Sequence, residues 1–144
     1  MTTPPAEDRI TPRLAALHFY QLAIPAPKPP AGSFNAAAFE RGKAVFAGRA
    51  GCARCHVPPL FTEPGHNVHA PSEIGVDSFQ ADRSPTRAYR TAPLAGLWSH
   101  QKGGFYHDGR FATLRAVVDH YATVFGLTLS PAEKTQLVEY LKSL

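Results

Sequence analysis

The sequence has little sulfur. It holds two cysteines and one methionine, Met1, in 144 residues. No internal thioether is therefore on offer as a metal ligand. No long apolar run occurs, which excludes a membrane-spanning helix. Basic residues are not interleaved with aromatics in any stretch, so nothing calls for nucleic acid. The formal charge of +4 reads as a solvated surface that would steer an acidic partner towards it. No βαβ pattern is present, and neither is a defensible Ser/His/Asp or paired-carboxylate constellation. The opening Met1-Thr2-Thr3-Pro4-Pro5 lacks the basic start and apolar core of an export leader.

Proline is plentiful, at 14 residues, which predicts long ordered loops rather than sheets. Residues 1–33 read as a proline-rich arm or linker. A short helix is expected over residues 14–20, with His18 as an arm residue. The run Ile24-Pro25-Ala26-Pro27-Lys28-Pro29-Pro30 must be extended. Residues 34–144 read as one domain. Its first helix runs from Asn35 to about Ala47, with Phe39, Gly42, Val45 and Phe46 on one face. Gly42 costs about 1 kcal/mol there relative to alanine, and close approach of another helix would explain it. Residues 57–93 are irregular, punctuated by Pro58, Pro59, Pro64, Pro71 and Pro85. So long an irregular stretch in a compact domain is expected to be functional or packed on a cofactor.

Asp108-Gly109 predicts a turn. The next helix has Thr113 as N-cap and an apolar stripe of Leu114, Val117, Val118, Tyr121, Val124 and Phe125. Gly126 ends it. Ser130-Pro131-Ala132-Glu133 opens the last helix with a capping box and a proline in its first turn. Leu137, Val138, Tyr140, Leu141 and Leu144 are its expected buried face. Gly42 and Phe46 are expected to cross Leu137 and Tyr140.

Both cysteines sit in one pentapeptide, Cys52-Ala53-Arg54-Cys55-His56. C-x-x-C-H is the attachment signature of a c-type haem. Two thiols about one helical turn apart reach the two vinyl groups of a porphyrin, and His56 then falls under the iron as proximal ligand. Other readings compete. A disulfide would close too short a loop to stabilise much, and a redox dithiol lacks its βαβ setting. Zinc is the serious rival, because Cys52, Cys55, His66 and His69 give C-x2-C-x10-H-x2-H. The proline-rich segment between them, however, cannot form the helix that carries such histidines. Haem attachment to this motif takes place outside the cytoplasm, so a periplasmic location is expected. The numbering is then expected to begin after a removed leader or within a longer chain, the second being favoured.

From Phe34 to Leu144 the chain resembles the C-terminal haem domain of bacterial di-haem cytochrome c peroxidases and their MauG-like relatives. The matching pieces begin with Phe39-Glu40-Arg41-Gly42-Lys43-Ala44-Val45-Phe46, Cys52 to His56, and Glu73-Ile74-Gly75-Val76-Asp77. They continue with Tyr89-Arg90-Thr91-Ala92-Pro93-Leu94, Gly104-Phe105-Tyr106-His107-Asp108-Gly109-Arg110 and Thr113-Leu114. The resemblance implies an all-α cytochrome c-like domain of a few helices around one covalent haem, with long ordered loops. In that family this haem passes electrons to a second haem in another domain, where peroxide or substrate chemistry occurs. The chain has no second C-x-x-C-H and lacks the family's usual axial methionine. Tyr121 stands at the equivalent position, where MauG-like relatives use tyrosine. The family also holds calcium partly through a Thr-x-Pro segment, which Thr91 and Pro93 resemble. Its other protein ligand comes from the second domain.

The leading functional expectation is electron transfer by one covalent haem c. The alternative is the electron-relay half of a di-haem peroxidase or MauG-like oxidase. A non-redox, zinc-stabilised binding module is the third. The expected partner is a redox protein or a second haem domain. Tyr121 and His120 both remain open as the sixth iron ligand: position argues for Tyr121. A neutral imidazole, as on His120, binds without losing a proton. His107, Arg90 and Arg110 are candidates to hold haem propionates; stabilising the local turn is the competing role for His107 and Arg110.

Overall fold

The computed structural model describes residues 8–100 and 102–144. The Met1–Pro5 reading and the start of the arm lie outside the described residues. Among the described residues the chain forms five α-helices: α1 (Leu14–Ala23), α2 (Ala36–Ala47), α3 (Pro71–Ile74), α4 (Leu114–Val124) and α5 (Pro131–Leu141). Short 3-10 turns lie before α1 and between later helices. No strand occurs among the described residues, only isolated bridges at His69–Tyr89 and Phe105–Phe111. The fold is all-α, as expected.

Local chemistry sets the helix starts. Asn35 Oδ1 accepts from the Ala38 N–H at 2.9 Å and caps α2. Thr113 Oγ1 accepts from the Ala116 N–H at 3.1 Å and caps α4. Ser130 and Glu133 form a reciprocal capping box on α5. Each satisfies N–H groups that the first turn leaves orphaned.

The core forms where α2, α4 and α5 meet, around Val45, Phe46, Leu114, Val118, Leu137, Tyr140 and Leu141. Phe46 is 2% exposed. Its ring lies edge-on to Tyr140 at 5.1 Å, and Phe39 covers Tyr140 from the other side at 5.4 Å. α2 and α5 cross closely at Gly42. A Cβ there would sit inside the Gln136 carbonyl and 2.9 Å from Tyr140 Cβ. At Gly42 itself the Gln136 backbone and Tyr140 come closest, and Leu137 is buried in the same cluster as Phe46 and Tyr140. Val138 and Leu144 pack on the core without being fully buried, and Phe125 is 50% exposed at the end of the α4 stripe.

α1 runs further than the sequence predicts, to Ala23, and stops just before Pro25 restricts Ile24. None of its residues is buried. The arm is fastened beyond α1, where Trp98 Nε1 donates to the Pro27 carbonyl at 2.9 Å.

Candidate functional site

The C-x-x-C-H motif hangs from the end of α2. Ala50 N–H bonds back to the Val45 carbonyl at 2.9 Å, and Gly51 turns the chain at φ 64°. That left-handed step suits glycine. Cys52–Arg54 then make one 3-10 turn, closed by the His56 N–H on the Cys52 carbonyl at 2.9 Å. Both cysteines are free and half-buried. Burial pushes the Cys52 thiol up to about 11, and burial also raises Cys55.

His56 is aimed by Phe61. The Phe61 carbonyl lies 3.0 Å from His56 Nδ1. A carbonyl only accepts, so Nδ1 carries the proton and Nε2 keeps a free lone pair. Burial is the main influence on the imidazole and lowers its pKa, keeping it neutral. Phe61 itself has φ 55°, a conformation that costs a side chain about 1–3 kcal/mol. Its ring is anchored against Phe46 at 6.1 Å and Tyr140 at 6.5 Å. Its carbonyl also accepts from the Leu94 N–H at 3.2 Å. The hydrophobic core therefore holds the loop that orients the histidine. Such outer support of a ligating imidazole is general at metal sites.

Tyr121 is half-buried on α4. Its phenol is pushed up mainly by burial, with a lowering influence from the Tyr106 hydroxyl and raising ones from Cys52 and Cys55. The neighbouring His120 is committed elsewhere: its Nε2–H donates to the Gly75 carbonyl at 2.8 Å. Gly75 lies against α4 so closely that a Cβ would stand 2.7 Å from Val124 Cγ1. His120 clamps that loop to the helix.

The remaining candidates face protein groups. Arg90 is exposed and donates to the carbonyls of Gly65 at 2.5 Å and Glu63 at 3.3 Å. Arg110 lies between Asp77 and Asp108, and hydrogen bonding from it lowers Asp108 to about 2. His107 Nε2 is 3.2 Å from the same Asp77, and its ring stacks on Tyr89 at 5.8 Å. These contacts support the turn-stabilising role for His107 and Arg110.

Two features escape sequence reasoning. His69 sits between two carboxylates, with Nε2 2.5 Å from Glu63 and Nδ1 3.1 Å from Glu73. Hydrogen bonding to Glu63, then to Glu73, raises its pKa. Thr91 Oγ1 donates to Glu63 at 2.7 Å, and the Thr91 carbonyl accepts from Thr62 at 2.5 Å. The Thr-x-Pro segment is thereby fastened within this chain. The second feature is Tyr106, whose hydroxyl is buried without a hydrogen-bond partner.

These observations decide between ligand types. The four zinc ligands expected from the sequence are not brought together: Cys55 and His69 meet with Glu63 instead, and His66 is exposed. Haem fits, because two free thiols, an imidazole held at Nδ1 and a half-buried phenol on α4 are the groups it needs.

No protein-family model matches the chain. The chain is 39% identical over 88 residues to the methylamine utilization protein MauG of Methylorubrum extorquens. That match covers 57% of this chain and 24% of MauG, so the chain spans about a quarter of the relative's length. Among solved structures it resembles a chain of Kuenenia stuttgartiensis hydrazine synthase pressurised with xenon. The TM-score is 0.54 at 23% identity, over 94% of this chain and 56% of the other. At that identity the likeness speaks to fold, and it accords with an all-α, cytochrome c-like class.

Proposed function

We propose that residues 34–144 form a mono-haem cytochrome c domain that carries single electrons, with residues 1–33 as its arm. The observation that carries this reading is the aim of His56: Nδ1–H is tied to the Phe61 carbonyl, so the neutral ring keeps its lone pair on Nε2, in the same motif as two free thiols. Cys52 and Cys55 are the covalent anchors, and His56 is the proximal ligand. Tyr121 is the sixth ligand: it stands where MauG-like relatives use tyrosine, while His120 Nε2 serves Gly75. A haem so held supplies one-electron chemistry. The chain's own part is to fix the imidazole and to cover the site with the loops tied at Glu63, His69 and Gly75. A tyrosine in place of methionine lowers the reduction potential. The charge of +4 suits an acidic redox partner, and a periplasmic setting follows from the attachment chemistry.

Similarity to MauG supports a second reading, in which the same domain is the electron-relay half of a di-haem peroxidase or MauG-like oxidase. The haem-loaded chain separates the two. As a carrier it exchanges electrons with a one-electron mediator and does not turn over peroxide. Peroxide turnover by this chain overturns the carrier reading. Loss of the Soret band into acid acetone overturns covalent attachment.

A further inference from the structure

Tyr106 occupies a costly position. Its backbone adopts φ 71°, which side chains seldom take. A tight hairpin holds it there. The Phe105 N–H bonds to the Phe111 carbonyl at 2.8 Å, and the Gly109 N–H to the Tyr106 carbonyl at 3.3 Å. A Cβ on Gly104 would stand 3.1 Å from Gly109 Cα, so only glycine closes this turn without strain. The Tyr106 ring is enclosed by Phe111 at 4.9 Å, His120 at 5.5 Å and Tyr121 at 5.9 Å. Its hydroxyl is buried and makes no hydrogen bond of ordinary geometry among the described residues, although the Tyr121 hydroxyl lies near enough to act on it. A phenylalanine would fill the same space without burying an unpaired polar group, which is unfavourable. The hydroxyl therefore calls for an acceptor that this hairpin does not itself supply.

We propose that Tyr106 is a positioning residue for Tyr121, donating its buried O–H to the Tyr121 oxygen once that oxygen ligates haem iron. The inference rests on the reading of Tyr121 as sixth ligand. A phenol that has given up its proton to bind a metal is a strong acceptor. The partly turned ring of Tyr106, at 39° to Tyr121, stands beside it with a free donor. Donation draws charge from the ligating oxygen and fixes the direction of its lone pairs, as outer hydrogen bonds do for other metal ligands. The strained hairpin then has a purpose: it delivers one donor to one oxygen.

The test uses the haem-loaded chain and three proteins: parent, Tyr106→Phe and Tyr121→Phe. Resonance Raman spectra of the ferric forms are recorded in H2O and D2O, with reduction potentials. The parent is expected to show iron-bound tyrosinate bands that shift in D2O. Tyr106→Phe is expected to keep those bands, lose their D2O shift and have a lower potential, while Tyr121→Phe loses the bands altogether. If Tyr106→Phe retains the D2O shift and the parent potential, the hydrogen bond is refuted while ligation by Tyr121 stands. If Tyr121→Phe leaves the ferric spectrum unchanged, the ligand reading fails and this inference falls with it. Should Tyr106→Phe not fold, the parent alone still decides, because tyrosinate bands insensitive to D2O contradict the proposal.

Discussion

Gly42 of α2 lies against Tyr140 of α5 with no room for a side chain: a Cβ would come within 2.9 Å of Tyr140 Cβ and 2.6 Å of the Gln136 carbonyl carbon. The crossing puts Tyr140 beside Phe46 and Phe61, and Phe61 in turn orients His56. A change at Gly42 is therefore felt at the candidate iron ligand.

Gly42→Ala is expected to lower stability by about 1–3 kcal/mol or more, since backbone rather than a flexible side chain meets the added carbon. Chemical denaturation measures this directly. An unchanged midpoint would show that the two helices separate without cost.

Replacing both Cys52 and Cys55 with alanine is expected to leave no haem bound after acid-acetone extraction and to make unfolding less cooperative. The loops between α2 and α4 contain little regular structure, and the porphyrin is expected to order them. A double variant that melts like the parent would place the haem outside the core.

The Glu63–His69–Glu73 contact gives stability a pH dependence. His69 has its pKa raised, so its contribution is full below its ordinary value of about 6.5 and is lost as pH rises through the raised folded value. Glu63 has its pKa lowered, chiefly by His69, so its contribution is present above the ordinary carboxylate range and is lost as pH falls through the lowered value. The melting midpoint is expected to fall as pH rises from the ordinary histidine value of about 6.5 through the raised folded one, and His69→Gln is expected to flatten that fall. Equal slopes for both proteins would remove His69 from the account.

Tyr121→Phe and His120→Ala should behave differently. The first is expected to abolish the low-spin ferric spectrum. The second is expected to keep it while loosening the loop at Gly75, seen as faster amide exchange over residues 71–76. Loss of the low-spin signal only in His120→Ala would reverse the assignment.

Much of this was legible in the sequence. Thr113 and the Ser130–Glu133 box are local signals, so the starts of α4 and α5 are read correctly. Gly42 is legible because its cost inside a helix makes sense only with a close neighbour. The end of α1 is misjudged by a few residues; the helix persists until Pro25 restricts the residue before it. What stays hidden depends on contacts distant in the chain. Nothing in the sequence shows that a phenylalanine in a left-handed turn would present its carbonyl to His56. His120 and Tyr121 are neighbours on one helix, and only the fold of the Gly75 loop shows that one of them is already engaged. Tyr106 stands inside a motif that catches the eye for His107 and Arg110, yet its hydroxyl becomes conspicuous only once it is seen to be buried and unpaired.

The central claim is one covalent haem held by Cys52, Cys55 and His56. The most direct measurement is the intact mass of the purified, coloured protein under denaturing conditions, followed by a peptide map. The mass is expected to exceed that of the chain by one haem, with the whole increment on the peptide containing residues 52–56. The bare chain mass, or an increment on any other peptide, would contradict it.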